Sequence, residues 1–481
     1  MHPVPSRLHA GRVPSRRSRA SIALVVLVLR WGGCAGGEGE ERGRLYDEPW
    51  REQFHFSPRE NWMNDPNGLL FHDGVFHLFF QHNPFGEVWG HMSWGHATSE
   101  DLVRWEQLPV AIPEDDEVAI FSGSAVVDVR NTSGLAQKVK HGPTRSQTTT
   151  DCSCAQLNRV EWQLQSDHSP TAVKQELENE FKISVEQEEE RWVLLVSLAG
   201  LGMYFVGEFD GEKFVEDSEF SWFLIDHGPD FYAANSFNGA EERVLVAWMN
   251  NWACAGGVPT SPWRGEASFP RRVELVRAAG ALQMRQVLGD FGSLGGQVWT
   301  LRDATIAEEL ISRGDGQSPK TEMLPFQINE FLVAEVLGSS FPMTVEMRLA
   351  GTPGLAEFGI MVRRSADGTE YTRVGLEFDE DGRPSQGFLN RTLSGTSDFS
   401  PDFARAYTAD IAYLHLESEE VSLLLLLDES SVEAFFYDGL VAMTARIFPD
   451  DLSRGMALYQ AEGEELRVSF FEVRQLPSIW Q

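Results

Sequence analysis

Seven consecutive residues, Trp62-Met63-Asn64-Asp65-Pro66-Asn67-Gly68, combine residue types that chains seldom place together without a site to serve. Asp65 stands between an amide and a proline, just ahead of Asn67-Gly68, a turn signal. A carboxylate so placed has two uses. At the start of a strand it can be held facing a pocket and act on a ligand; in an Asx-turn it only caps backbone donors. Local features leave both open. The elements that must hold it follow directly. Leu69-Leu70-Phe71, then His72-Asp73-Gly74, then Val75-Phe76-His77-Leu78-Phe79-Phe80-Gln81 read as a strand, a tight Asp-Gly hairpin turn and a second strand.

The chain has 481 residues, enough for two or three domains, and its 42% hydrophobic and 11% aromatic content is that of a globular protein. Its 14 Trp and 31 Phe suit an all-β core. The net charge of −32 argues against nucleic acid or an anionic membrane as partner, because phosphate binding needs basic patches. A neutral ligand fits that charge. Cys34, Cys152, Cys154 and Cys254 are too few for a disulfide scaffold, and Cys152-Ser153-Cys154 has no partnering Cys/His cluster, so no metal is expected. Arg12, Arg16, Arg17 and Arg19 precede a ten-residue apolar run over 20–29 and then small residues, which reads as a secretory signal over 1–36. The run is short for a transmembrane span, so stable membrane insertion is not expected, a membrane anchor being the alternative. The sequons at Asn131 and Asn390 agree with secretion.

Along the chain, an acidic glycine-rich linker over 36–43 gives way to short strands and turns from 54 to about 135. Residues 138–167 are Thr-, Ser- and Gln-rich without strand alternation. Residues 171–190 read as an acidic helix, with Val173, Leu177 and Phe181 recurring every four residues. Strands resume at 191–197, and a glycine-rich joint at 289–296 precedes β-rich runs spaced as in a sandwich. The five leucines over 423–427 are expected as a buried strand. No repeat at a fixed period is visible.

The run at 62–68, with its flanks over 54–83, resembles the signature of glycoside hydrolase family 32, the invertases, inulinases and levanases. Blocks similar to those of the family recur in the expected order: 89–99, 120–127, 226–234, 244–252, 262–265 and 428–435. The resemblance implies an all-β chain, with a five-bladed β-propeller over 50–290 and a C-terminal β-sandwich over 297–481. It implies a retaining hydrolase that releases fructose from sucrose or β-fructans, with Asp65 as nucleophile. It further implies that Asn64, Gln81, Trp89, Phe121, Ser122 and Trp252 line the fructose pocket. Amides and hydroxyls would bond sugar hydroxyls while aromatic faces cover the ring. No cofactor is implied, since a nucleophilic and an acid/base carboxyl about 5–5.5 Å apart suffice for retaining hydrolysis.

Two family motifs are not intact. The transition-state aspartate comes from Arg-Asp-Pro, and the only similar string, Arg302-Asp303-Ala304, lies past the propeller region; Glu161, near Arg159, is at best a remnant. The acid/base comes from Glu-Cys-Pro. A register anchored on Phe181-Lys182-Ile183 places Glu176 there with Cys and Pro lost, and the competing reading makes Glu176 one charge on an exposed helix. The stretch from 135 to 192 is too short for both motifs and their strands, which marks 136–190 as an irregular insert, a deletion scar or a gap in the gene model. Two further readings therefore stand beside the hydrolase. One is a non-catalytic fructan-binding protein that keeps Gln81, Trp89, Phe121, Ser122 and Trp252; the other is a truncated product whose exposed sheet edges prevent stable folding. Oligomeric state, preferred fructan and hydrolase versus fructosyltransferase are not readable.

Overall fold

A computed structural model of the chain describes residues 46–115, 119–125, 127, 177–185, 189–210, 212–217, 222–289, 291–305, 326–328, 331–336, 342–350, 357–414, 420–460 and 467–480. Among them there are strands and two short 3-10 turns, and no α-helix.

The motif opens the first sheet. β1 (Asn61–His72), β2 (Val75–Asn83), β3 (Ser93–Ser99) and β4 (Glu106–Ile112) form an antiparallel meander. Asp73 and Gly74 turn the chain between β1 and β2 at φ 50° and 82°, and His72 pairs with Val75. That is the two-residue turn the sequence predicts, because only Gly and Asn/Asp adopt positive φ cheaply. Period-two alternation sends Leu78 and Phe80 into one cluster with Met63 and Leu69, and Phe79 into another with Trp94 and Ile112. Both faces of β2 are therefore covered.

Two more four-stranded meanders follow. One comprises β5 (Leu177–Val185), β6 (Glu189–Leu198), β7 (Leu201–Phe209) and β8 (Phe214–Glu216), with β9 (Trp222–Leu224) on the other end of β7. The other comprises β10 (Tyr232–Ser236), β11 (Val244–Trp248), β13 (Arg271–Ala278) and β14 (Ala281–Val287). A single parallel pair, Leu275 with Val185, joins them into one nine-stranded sheet. A short β12 (Trp263–Arg264) runs parallel to the start of β1. A propeller blade is a four-stranded unit of this kind. Three such units are described in the N-terminal domain.

The helix expected over 171–190 is not found in its described part, where residues 177–185 are strand β5. A four-residue spacing fits a helical period and is also two strand periods, so Leu177 and Phe181 do not discriminate. Phe181, Ile183 and Val185 alternate with Lys182 and Ser184, and β6 supplies an antiparallel partner over the whole length. Pairing decides the conformation.

The C-terminal domain is a sandwich. Its six-stranded sheet orders β15 (Val298–Thr305), β27 (Arg467–Gln475), β18 (Met343–Ala350), β23 (Glu420–Leu427), β24 (Ser431–Phe436) and β25 (Val441–Arg446). Its seven-stranded sheet orders β16 (Phe326–Ile328), β17 (Phe331–Val336), β26 (Gly455–Gln460), β19 (Glu357–Arg364), β20 (Tyr371–Phe378), β21 (Pro384–Leu393) and β22 (Ala406–Asp410). The leucine run explains how this domain meets the propeller. Leu423, Leu425 and Leu427 enter the sandwich core, while Leu426 and Leu424 pack with Phe54, Phe269 and Phe291 on the propeller side. A strand apolar on both faces needs a layer on each. Arg302-Asp303-Ala304 falls in β15, inside the sandwich.

Candidate active site

Register along β1 is broken between Met63 and Pro66, and Asn64 and Asp65 occupy that irregularity. Bulges re-aim side chains, and Pro66 brings no N–H to restore the ladder. Asp65 is 8% exposed. Its Oδ2 accepts from Ser122 Oγ at 2.7 Å, and its Oδ1 accepts from Asn64 Nδ2 at 3.0 Å. Asn64 is oriented in turn by Trp62, whose Nε1 donates to Asn64 Oδ1 at 2.7 Å. Among the described residues no backbone N–H donates to Asp65. Of the two uses left open by the sequence, the turn cap is not the one realised.

Three segments hold this carboxylate. The 120–125 stretch lies across β1 through Gly68 N to Gly123 O (3.0 Å), which brings Ser122 to Asp65. Gly68 sits at φ 47°, where an added Cβ would lie 2.9 Å from Ala125 Cβ and 3.0 Å from Trp94, so glycine is required. From β10, Asn235 Nδ2 donates to Pro66 O at 3.4 Å. From the loop before β12, Pro262 O accepts from Asn61 N at 2.6 Å.

Of the sequence-predicted site residues, Asn64, Asp65 and Ser122 are brought into direct contact. Gln81 is buried on β2 opposite the irregularity, between the pairs Met63–His82 and Pro66–Phe80, and its Oε1 has no hydrogen-bond donor among the described residues. Trp252 is 47% exposed and reaches the motif through Trp62, with ring centroids 6.1 Å apart at 29°. It also packs at 4.8 Å on buried Trp248. Phe121 and Trp89 are 61% and 52% exposed, Phe121 next to Ser122 and Trp89 on the loop between β2 and β3; no described contact ties either ring to Asp65. Glu176 and Glu161 lie outside the described residues. The donor role of Trp62 escaped the sequence reading, although its position two residues before Asn64 on one strand, hence on the same face, was a usable signal.

No described residue supplies the acid/base. A general acid needs a raised pKa beside the nucleophile. Burial raises the Glu266 carboxyl to about 7 against the opposing charge of Arg446, and burial with the neighbouring Asp428 charge raises Glu52. Both face the sandwich: Glu266 pairs with Arg446, and Glu52 accepts from Ser430 Oγ at 2.7 Å.

That boundary holds most of the buried charge. His55 Nδ1 lies 2.9 Å from Asp428 Oδ2 and its Nε2 lies 2.8 Å from Glu433 Oε1. Burial alone would lower His55, but hydrogen bonds and charge from both carboxylates raise it to about 10. Burial likewise opposes Glu433, yet the Arg271 charge and His55 bring it down to about 2. Arg271 also donates to Asp226 Oδ2 at 2.9 Å, and Thr444 on β25 donates to Asp226 from its N and Oγ1, so Asp226 faces the sandwich. Glu52, His55 and Asp428 are the one group of His and carboxylates close enough to hold a metal among the described residues. Asp428 already accepts from the backbone N of Gln53, Phe54, His55 and Glu429, and both ring nitrogens of His55 meet carboxylates. The donor set is that of an imidazolium between two anions.

Residues 55–163 and 155–286 match the N-terminal domain of the glycosyl hydrolases family 32, and residues 307–475 match its C-terminal domain. The chain belongs to glycosyl hydrolases family 32. This is a family of glycosidases. The chain is 32% identical to the extracellular exo-inulinase of Aspergillus niger, covering 90% of this chain and 96% of that one. It is 31% identical to the levanase of Bacillus subtilis, covering 90% and 72%. Among solved structures, the exo-inulinase of Aspergillus awamori superposes with a TM-score of 0.71 at 28% identity, covering 90% of this chain and all of that one. The fructan 1-exohydrolase IIa of Cichorium intybus, at 19% identity and a TM-score of 0.68, shares the fold. The alignment with the niger exo-inulinase runs over 546 residues, whereas 90% of 481 residues is about 433, so roughly 110 positions of that family 32 relative face no residue here. The family's N-terminal domain is matched in two pieces that meet at 155–163.

Proposed function

We propose that this family 32 chain is a secreted β-fructosidase-type glycosidase that keeps the nucleophilic half of its site and has lost the acid/base half. The observation that carries the reading is Asp65, buried in a bulge and fixed by Ser122 and Asn64 as a nucleophile must be. Attack of an Asp65 oxygen on the anomeric carbon of a terminal fructosyl unit forms the glycosyl–enzyme ester as the bond to the leaving oxygen breaks. That oxygen must take up a proton, and water must later cleave the ester under base catalysis. Ser122 and Asn64 orient the attacking carboxylate; Gln81, Trp89, Phe121 and Trp252 form the surrounding sugar site. Sucrose, inulin and levan are the substrate class, since the relatives are a levanase, exo-inulinases and an invertase.

The register with the family motif puts Glu176 at the protonating position with the Cys and Pro of that motif lost, and the proposal takes its acid function as lost with them. Loss of a general acid costs about 10²–10⁴-fold in rate, and loss of the aspartate that steadies the transition state costs a similar factor. Purified protein is therefore expected to release fructose from sucrose, inulin and levan slowly, and Asp65→Asn to abolish the release. Release that persists in Asp65→Asn overturns the nucleophile. Absence of release with sugar binding equal in both proteins favours the second reading, a fructan-binding protein, which the lack of any described carboxyl in contact with Asp65 supports.

The shortened region at 136–190 is read as a loss of blade strands. The split family match, the unmatched positions of the inulinase and the three described blades support it. Sequencing the transcript across codons 135–192 tests it: a longer frame carrying Arg-Asp-Pro and Glu-Cys-Pro would make the complete enzyme a longer chain. Secretion is supported by the leader over 1–36 and by the extracellular relatives, and no helix among the described residues is long and apolar enough to cross a membrane.

A further inference from the structure

Trp252 belongs to a loop that is fastened outside the propeller. The residue before it, Asn251, donates from Nδ2 to Asp230 Oδ1 at 2.5 Å and accepts at its own Oδ1 from Cys254 N at 3.1 Å. Asp230 is fully buried, and its other oxygen accepts from Arg391 Nη1 at 2.5 Å and from the backbone N of Arg446 at 2.7 Å. Arg391 is on β21 and Arg446 on β25, both in the sandwich. The Arg391 guanidinium lies 3.9 Å from the Phe403 ring and donates to the carbonyls of Phe403 and Arg446, so its fork is fully committed. Two residues past Trp252, Cys254 packs with Phe403 and Phe448, again from the sandwich, and its thiol lies 3.5 Å from Ser400 Oγ. On its other side the Trp252 ring meets Trp62, the donor that holds Asn64 beside Asp65.

We infer that the sandwich positions Trp252: the hydrogen-bond chain Arg391–Asp230–Asn251 fixes the loop that carries one wall of the sugar site. Asn251, Asp230 and Arg391 are positioning residues, and a domain none of whose described side chains bonds to Asp65 thereby sets how tightly the sugar is held. The inference rests on the reading of Trp252 as a sugar wall. A single amide linking a half-exposed indole to a buried ion pair is a small change to remove, and it separates geometry from global stability.

The experiment is a double-mutant cycle on the full chain, read as binding of an inulin-type trisaccharide by calorimetry, with thermal melts alongside. Trp252→Ala is expected to weaken binding at least about 10-fold, and Asn251→Ala about 3- to 10-fold with little change in melting temperature. The double variant should bind no more weakly than Trp252→Ala alone. Arg391→Lys keeps the charge beside Asp230 but not the fork, and should weaken binding in the same Trp252-dependent way. Additive losses, or unchanged binding in Asn251→Ala while Trp252→Ala binds poorly, would overturn the positioning role and leave the sugar wall standing. Unchanged binding in Trp252→Ala would remove the wall itself, and the inference with it.

Discussion

Asp65 owes its position to glycines as much as to its hydrogen bonds. Gly265 has φ 93°, and an added Cβ would stand 2.1 Å from Met63 O, two residues before Asp65. Gly280 has a similar φ of 80° but nothing within 4 Å. Alanine at Gly280 therefore costs only the left-handed backbone, about 1–2 kcal/mol. Alanine at Gly265 adds a backbone collision that β1 can relieve only by moving. Denaturant melts should show Gly265→Ala destabilised by clearly more than Gly280→Ala, with fructan binding lost only in the former. Equal losses would mean that β1 tolerates the shift. At this scale the Asp73-Gly74 turn was legible from its own residues, and the juxtaposition of Asn64, Asp65 and Ser122 only from the family resemblance. The buried ring of Trp62 as donor to Asn64 was not read, because a tryptophan in a β-rich chain reads first as core.

At the scale of elements, β5 shows why the middle of the chain was misread. Its apolar residues recur at a spacing that helices and strands share, and only the partner strand β6, which follows directly with Val185 paired to Glu189, selects the extended form. The leucine run of β23 was legible as buried, but not as buried between two domains; that depends on what lies on its second face. The same boundary carries a pH prediction. His55, raised to about 10, contributes stability that is complete below pH 6.5 and is lost as pH rises through about 10. Glu433, lowered to about 2, contributes stability complete above pH 4.5 and lost as pH falls through about 2. His96, which burial lowers to about 3, contributes stability complete above pH 6.5 and lost toward pH 3. Removing one member of a buried ionic set costs about 3–5 kcal/mol. His55→Gln should therefore lower stability by an amount of that order near pH 6, and the gap to the parent should shrink as pH rises toward 10. A gap constant across that range would show that His55 is not a cation in the folded chain.

At the scale of the whole molecule, composition and charge bounded the answer and the ordered blocks named the architecture, whereas blade count was not accessible from period. Three four-stranded units are described where the resemblance implied five blades, and a single parallel pair, Leu275–Val185, bridges two of them. The same two units share a buried apolar cluster that includes Val193, Tyr204, Ala234 and Leu275, and Met284 N donates to Tyr204 Oη at 2.9 Å. Buried ion pairs join the two domains as well: Arg271 reaches Glu433, Arg391 reaches Asp230 and Arg446 reaches Glu266. At the candidate site Asp65 is held by Ser122 and Asn64, and no other carboxyl among the described residues bonds to it.

The most direct measurement of that central claim uses a substrate that needs no protonation to leave. On the proposed reading, attack by Asp65 on β-fructosyl fluoride needs no acid, while hydrolysis of the ester would still lack its base. The protein should release about one fluoride per chain in a burst and gain the mass of one fructosyl unit on the peptide containing Asp65, and Asp65→Asn should show neither. Absence of burst and adduct in the parent, or an undiminished burst in Asp65→Asn, would contradict it.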